Sequence, residues 1–260
     1  MKIYDFLPLL VLLLSLSVVR AEDPRFEYRE GGIVRGRRDE KKLALEFTAH
    51  EFTEGGTTVL DQLAARHIKA SFFLTGGCLR NPTNQALVRR ILADGHFLGP
   101  HSDSHPLLCP WSGPKKTLVT KEFFIGEMES NLEAIEKFGI KRTAVQFFIP
   151  PYEWYNGEIA RWAGEMGLHL INFTPGTRST ADYTGDSASN FVSSKAIMAS
   201  IVAREKQSGL NGYLLLLHLG SGPRRTDKMT DHAGELIDYL QGRGYRFVRV
   251  DELLSEKPRQ

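Results

Sequence analysis

From Lys41 onward the chain alternates short apolar runs with longer stretches whose apolar residues recur every three or four positions. Seven runs read as strands: Leu43–Thr48, Ala70–Thr75, His96–His101, Ala144–Pro150, Leu168–Thr174, Tyr213–Leu219 and Arg246–Val250. Each is rich in branched or aromatic residues, and most are bounded by Gly or Pro. Between them the helical period predicts helices over Thr57–His67, Asn84–Asp94, Thr120–Phe138, Tyr155–Met166, Ser193–Gln207 and Asp231–Gln241. In the first of these, Val59, Leu60, Leu63 and Ala64 share one face. Gly95, Gly139, Gly167 and Gly209 stand where helices should stop. Strands that alternate with helices predict an α/β fold built on a parallel sheet. Two architectures fit, a barrel of about seven parallel strands or an open doubly wound sheet. No linker or change of composition divides residues 41–260, which read as one domain.

The N-terminal residues break this pattern. Lys2 is followed by an apolar run from Phe6 to Val19 and then by Val19-Arg20-Ala21. Residues 1–21 therefore read as a secretory signal peptide cleaved after Ala21, which predicts export to a periplasmic or extracellular space. The run is shorter than the roughly 20 residues that span a bilayer, and no later segment is long and apolar enough to do so. Residues 22–40 are polar, with Arg35, Arg37 and Arg38, and read as a solvated lead-in. In an oxidising compartment Cys78 and Cys109 could close one bridge, worth about 3.5–4 kcal/mol by the chain-entropy argument. The alternative is two unpaired thiols.

Charge and composition mainly exclude. The net charge of +2, from 33 basic and 31 acidic residues, offers no electrostatic footprint for nucleic acid. Two cysteines are too few for a disulfide scaffold or a Cys-rich zinc finger. No G-x-G-x-x-G follows the first strand and no P-loop occurs, so nucleotide-binding versions of the open sheet lose support.

The candidate chemistry gathers where strands end. His50 and Glu51 follow the first strand, and His101 and His105 end and follow the third. Pro150 to Trp154 follows the fourth, Thr174 to Tyr183 the fifth, and His218 sits in the last turn of the sixth. Parallel α/β folds place active sites at this end of the strands. In His101-Ser102-Asp103-Ser104-His105 the two imidazoles are spaced i and i+4, which on a helical turn puts both within reach of one metal ion. Two solvent-facing imidazoles would show the same spacing.

The order FTAHEFTEGG, KASFFLTG, GHFLGPHSDSH, FFIPPYEWYN, YLLLLHLG, GYRFVRVDELL resembles the NodB-homology polysaccharide deacetylases, carbohydrate esterase family 4, over about residues 41–255. The resemblance implies a distorted (β/α) barrel. It also implies a divalent metal, usually zinc, and removal of N- or O-acetyl groups from a glycan substrate. The family's first motif resembles T-F-D-D-G, with the first Asp as base and the second as metal ligand. Here Phe47 is followed by Thr48-Ala49-His50-Glu51, and both Asp are missing. His50 becomes the substitute ligand beside His101 and His105. Three neutral His can hold zinc with one position open. The base falls to Glu51, the nearest carboxylate, with Glu153 and Glu46 as rivals.

The third motif, R-P-P-Y-G in the family, reads Ile149-Pro150-Pro151-Tyr152-Glu153 here. What survives is the turn and the Tyr152 backbone N–H, which in relatives helps to hold an oxyanion. Trp154 and Tyr155 either wall a sugar site or pack beneath the next helix. The fourth motif is matched only in part, which makes Arg178 and Asp182 candidate substrate contacts. His218 matches the family's general acid, a task that suits an imidazole, although a His buried in an apolar strand is the plain alternative. The missing Asp pair leaves two further readings, a non-catalytic carbohydrate-binding domain and a hydrolase of other amides or esters.

Overall fold

The two faces of strand β3 (Lys42–Ala49) organise the molecule. Successive side chains on a strand point to opposite sides. Leu43, Leu45, Phe47 and Ala49 accordingly join the large core under the helices. Ala44 belongs instead to a second core with Phe73, Phe147, Ile171 and Leu216, and Glu46 and Thr48 follow it on that face. A computed structural model describes residues 22–113 and 116–255.

Strands β4 (Ser71–Leu74), β5 (Phe97–Pro100) and β8 (Tyr213–His218) run parallel around β3, in the order β8-β3-β4-β5. The short β9 (Arg246–Phe247) pairs with the start of β3. A separate parallel pair, β6 (Phe147–Phe148) and β7 (His169–Leu170), extends the curve. The Ile149 N–H joins it to β5 by donating to the Pro100 carbonyl at 3.3 Å. The result is a mostly parallel, curled sheet of the distorted-barrel kind. Its register sets the site: Thr48 pairs with His218 and Ala49 with Leu74, so the strand ends align on one rim.

Helices α1 (Gly56–Ala65), α2 (Gly76–Arg80), α3 (Gln85–Ala93), α4 (Lys121–Glu136), α5 (Gly157–Glu165), α6 (Ser194–Ser208), α7 (Ala233–Gly242) and α8 (Val250–Leu253) complete the described chain. Thr120, Asn156 and Ser193 cap α4, α5 and α6 by accepting a backbone N–H three residues on. The periodic pattern misses α2 and α8, which are too short to show a period. Among the described residues no helix is long and apolar enough to cross a membrane. The expected signal peptide, residues 1–21, lies outside the described residues.

Two expectations need correction. Residues 22–40 are not a solvated lead-in. They form a hairpin of β1 (Glu27–Arg29) and β2 (Gly32–Arg35), and every residue of β2 is buried. β2 pairs antiparallel with β8 through Arg35 and Tyr213 and bridges Ile33 to Ile171. Only glycine fits at position 32, because a Cβ would lie 2.6 Å from both Leu170 and the Tyr155 hydroxyl. Arg35 is buried with its guanidinium 4.6 Å over the Tyr213 ring and its Nε donating to the Asn211 carbonyl. Nor is there a disulfide. Cys78 and Cys109 are both buried free thiols. Cys78 is fixed inside α2, where its sulfur accepts from the Asn84 amide at 3.3 Å. Burial pushes that thiol up to about 12, far from the thiolate that forms bridges.

Candidate functional site

Beyond β5 the chain does not turn into a helix. Ser102 and His105 both take left-handed backbone angles, with φ of 64° and 62°. The i, i+4 spacing of His101 and His105 therefore does not place them on a helical face. A loop folds their rings together, with centroids 5.0 Å apart. The His101 Nδ1–H donates to the Ile149 carbonyl at 2.8 Å, which leaves Nε2 with its lone pair. The His101 backbone N–H donates to buried Asn131 of α4, whose amide donates in turn to the Leu74 carbonyl. His105 donates its backbone N–H to the Ser102 hydroxyl.

His50 comes from the end of β3 and stacks on His105 at 4.7 Å, with only 8° between the rings. Desolvation lowers the pKa of all three imidazoles, to about 4 for His101 and about 2 for His105, so they stand neutral. Neutral imidazole is the donor type that zinc takes. The arrangement, however, does not converge: rings stacked face to face do not aim their nitrogens at one point. Among the described residues no group of three or more His, Cys, Asp or Glu is placed to hold a metal ion.

A second cluster forms a few residues away on the same rim. His218 ends β8 with its side chain 18% exposed. Its Nδ1 lies 2.7 Å from Asp182 Oδ1, and its backbone N–H donates to Asp182 Oδ2 at 2.9 Å. Its Nε2 faces Glu153 Oε2 at 3.7 Å. Glu153 also accepts, at 3.5 Å, from the Thr48 hydroxyl. Burial alone would lower the His218 pKa, but the charge and hydrogen bond of Asp182, with help from Glu153, raise it to about 10. Burial would raise Glu153, and the adjacent His218 imidazolium outweighs it, so the carboxyl titrates below the usual range. His218 is thus an imidazolium with the side chains of Asp182 and Glu153 on either side of its ring.

The Pro150-Pro151 turn delivers Glu153. Tyr152 and Glu153 both have positive φ, 60° and 52°, a conformation that costs a non-glycine residue roughly 1–2 kcal/mol. The turn throws Tyr152 outward, 44% exposed, and Glu153 inward. The Asn172 amide, donating to the Glu153 carbonyl at 2.7 Å, holds it there.

The other sequence candidates scatter. Glu51 is exposed, and its charge acts on His50. Arg178 is exposed, with its backbone N–H on the Ser200 hydroxyl. Asp182, expected to touch substrate, is the partner of His218. Tyr155 packs, its hydroxyl donating to the Arg29 carbonyl at 2.7 Å. Glu46 lies one strand repeat beneath Thr48, fully buried, with neither carboxyl oxygen hydrogen-bonded. Trp154 is half-buried and anchored by its indole N–H on the Pro110 carbonyl. It leads to a residue the sequence reading passed over. Trp111 is 60% exposed, edge-on to Tyr152 at 5.5 Å and 6.0 Å from Trp154. The signal was an indole in a Pro- and Gly-bounded loop. Trp111, Tyr152 and Trp154 make an aromatic wall that reaches His105, whose ring lies 4.4 Å from Tyr152.

The chain has relatives in sequence and in fold. The family model for polysaccharide deacetylase matches residues 35–171. The peptidoglycan-N-acetylglucosamine deacetylase PgdA of Listeria monocytogenes is 29% identical over 219 residues, 84% of this chain and 40% of that protein. The chain thus spans about two fifths of the length of that relative. A chitin deacetylase of Colletotrichum lindemuthianum is 27% identical over 204 residues, covering 77% of this chain and 74% of its own. Among solved structures, a family 4 carbohydrate esterase pseudoenzyme from Bacillus anthracis superposes with a TM-score of 0.69 at 20% identity. It covers 89% of this chain and 72% of that one, and the likeness is one of fold.

Proposed function

The chain belongs to the polysaccharide deacetylase family, and from that premise we propose that it is an exported hydrolase that removes N- or O-linked acetyl groups from a glycan. The observation that carries this reading is His218, held by Asp182 at the strand-end rim with its Nε2 turned toward Glu153. An imidazolium in that position can protonate a departing amine or alkoxide as the acyl bond breaks. Asp182 accepts from Nδ1 and fixes the ring rotation, so the second proton of the imidazolium is carried on Nε2, the nitrogen turned toward Glu153. The Tyr152 backbone N–H, in the turn beside it, is assigned to the oxyanion of the tetrahedral intermediate. Trp111, Tyr152 and Trp154 offer flat apolar faces of the kind on which sugar rings stack.

Zinc enters the proposal through donor chemistry: His50, His101 and His105 are neutral imidazoles. The parallel stacking of His50 on His105 argues against a ready-made site. Metal analysis of the purified protein, before and after dialysis against a chelator, settles that requirement separately from activity.

The test of function is acetate release from acetylated glycans such as chitin oligomers, peptidoglycan fragments and acetylated xylan, with His218→Ala as control. Release by the wild-type chain and its loss in the variant support the proposal. Turnover of small acyl amides alone would move the substrate class away from glycans.

A second reading has its own observation. Thr48 and Ala49 stand directly after Phe47, where the family motif carries its two Asp. With the unconverged rings, this favours a carbohydrate-binding domain without turnover. Glycan binding with no acetate release would establish it.

A further inference from the structure

We propose that Glu153 is the general base of this reaction, a carboxylate brought by the turn after β6 to the place that the first motif leaves empty. The inference rests on the deacetylase reading. Thr48 occupies the first position after Phe47, and its hydroxyl reaches Glu153. Thr48 is also in register with His218, so all three residues meet at one point on the rim.

The two carboxylates around His218 differ in a way that separates their roles. Asp182 spends both oxygens on His218, at 2.7 and 2.9 Å, the lengths of full-strength charged hydrogen bonds. Both its oxygens are committed to His218, so its part is to position the ring. Glu153 meets its partners at 3.5 and 3.7 Å, beyond the range of a good hydrogen bond. A carboxylate whose side chain is only 10% exposed would ordinarily close such contacts. At 3.7 Å the space between Glu153 Oε2 and His218 Nε2 admits no further atom, but neither contact of Glu153 is a full hydrogen bond, so its carboxylate keeps lone pairs for a proton from a water standing beside the pair at the rim. Glu51 has no comparable place, being exposed beside His50.

The step balances without a further reagent. A water O–H bond breaks as its proton passes to Glu153, while the water oxygen bonds to the acetyl carbon and the carbonyl becomes an oxyanion. The intermediate collapses, the bond to the sugar nitrogen or oxygen breaks, and the leaving group takes the proton from His218 Nε2. Acetate and the deacetylated sugar depart. The proton on Glu153 then crosses to Nε2 and restores the starting state.

The experiment compares wild type, Glu153→Gln and Glu153→Asp in acetate release and glycan affinity, using the full chain. For Glu153→Gln we expect kcat to fall about 10²–10⁴-fold, the usual worth of a general base, with affinity within about threefold. Glu153→Asp keeps a carboxylate on the same turn and should retain activity above Glu153→Gln. If Glu153→Gln keeps more than a tenth of wild-type kcat, or if Glu51→Gln is inactive while Glu153→Gln is not, the base is elsewhere. A wild-type chain that binds glycan and releases no acetate overturns the deacetylase reading itself, a different result from either.

Discussion

Asp182 grips His218 at two points, its Oδ1 on the ring Nδ1 and its Oδ2 on the backbone N–H, at 2.7 and 2.9 Å. One buried carboxylate thereby locks a side chain to the strand that carries it. Asp182→Asn keeps the shape and removes the charge. One amide face must then present N–H groups to a donor, and the ring loses its fixed tautomer. Acetate release should fall about 10²–10⁴-fold, as for other positioned acid–base groups. The His218 titration, followed by NMR, should move down from about 10. An unchanged titration would remove Asp182 from the role assigned here.

The same cluster sets a pH dependence of stability. His218 has its folded pKa raised to about 10, above the ordinary 6.5. Between those values the folded chain binds the extra proton, so this contribution is complete below pH 6.5 and is lost as the pH rises through 10. Denaturant titrations at pH 6, 8 and 10 should show stability falling, and His218→Gln should flatten the slope. Parallel curves for the two proteins would count against the imidazolium.

Glu46 has the opposite character to Glu153. Burial with no partner pushes its carboxyl well above the usual value. The folded chain therefore keeps a proton that the unfolded chain sheds above about pH 4.5, and stability falls as the pH rises from there. Glu46→Gln removes that proton exchange. It should be more stable than wild type at pH 8 and show a smaller gain at pH 5. Equal gains at both pH values would mean that the carboxyl is not held protonated.

Trp111 contributes little to the fold, being 60% exposed. Trp111→Ala should leave the thermal midpoint within about 2 °C, as expected of a surface change. Affinity for a glycan oligomer should weaken about two- to tenfold, the size of one aromatic stacking contact. Titration calorimetry reads this directly, and unaltered affinity would take Trp111 out of the binding wall.

Thiol counting tests the cysteines. Unfolded under non-reducing conditions, the described domain should yield both Cys78 and Cys109 to a thiol reagent. Reductant should shift the melting temperature by less than about 1 °C, where loss of a bridge of this span would remove about 3.5–4 kcal/mol.

Much of the barrel was legible because a buried parallel strand must be almost wholly apolar. YLLLLHL and ASFFLT announce themselves in this way. β2 did not, since Ile33 and Val34 are two apolar residues in a polar stretch. Its glycine makes sense only once Leu170 and Tyr155 lie against it. The imidazoles were found by position at strand ends, while the helical geometry expected of His101 and His105 was wrong. The partnership of Asp182 with His218 joins a loop to a strand 36 residues away, and no local pattern encodes it. Glu153 was visible only as one of several nearby carboxylates. The left-handed turn that aims it depends on Asn172, which lies 19 residues further on.

The hairpin of β1 and β2 has a consequence for the order of assembly. It is the first described structure to be synthesised, yet its partners are Ile171, Asn211 and Tyr213. At about 5–20 residues per second, β2 waits roughly 10–40 s for β8 to be made. Through that interval its ladder edge and the Arg35 side chain have no native place to go. One edge of the sheet is therefore completed by joining its oldest described segment to a strand made much later, and contacts of such long sequence separation are slow to form.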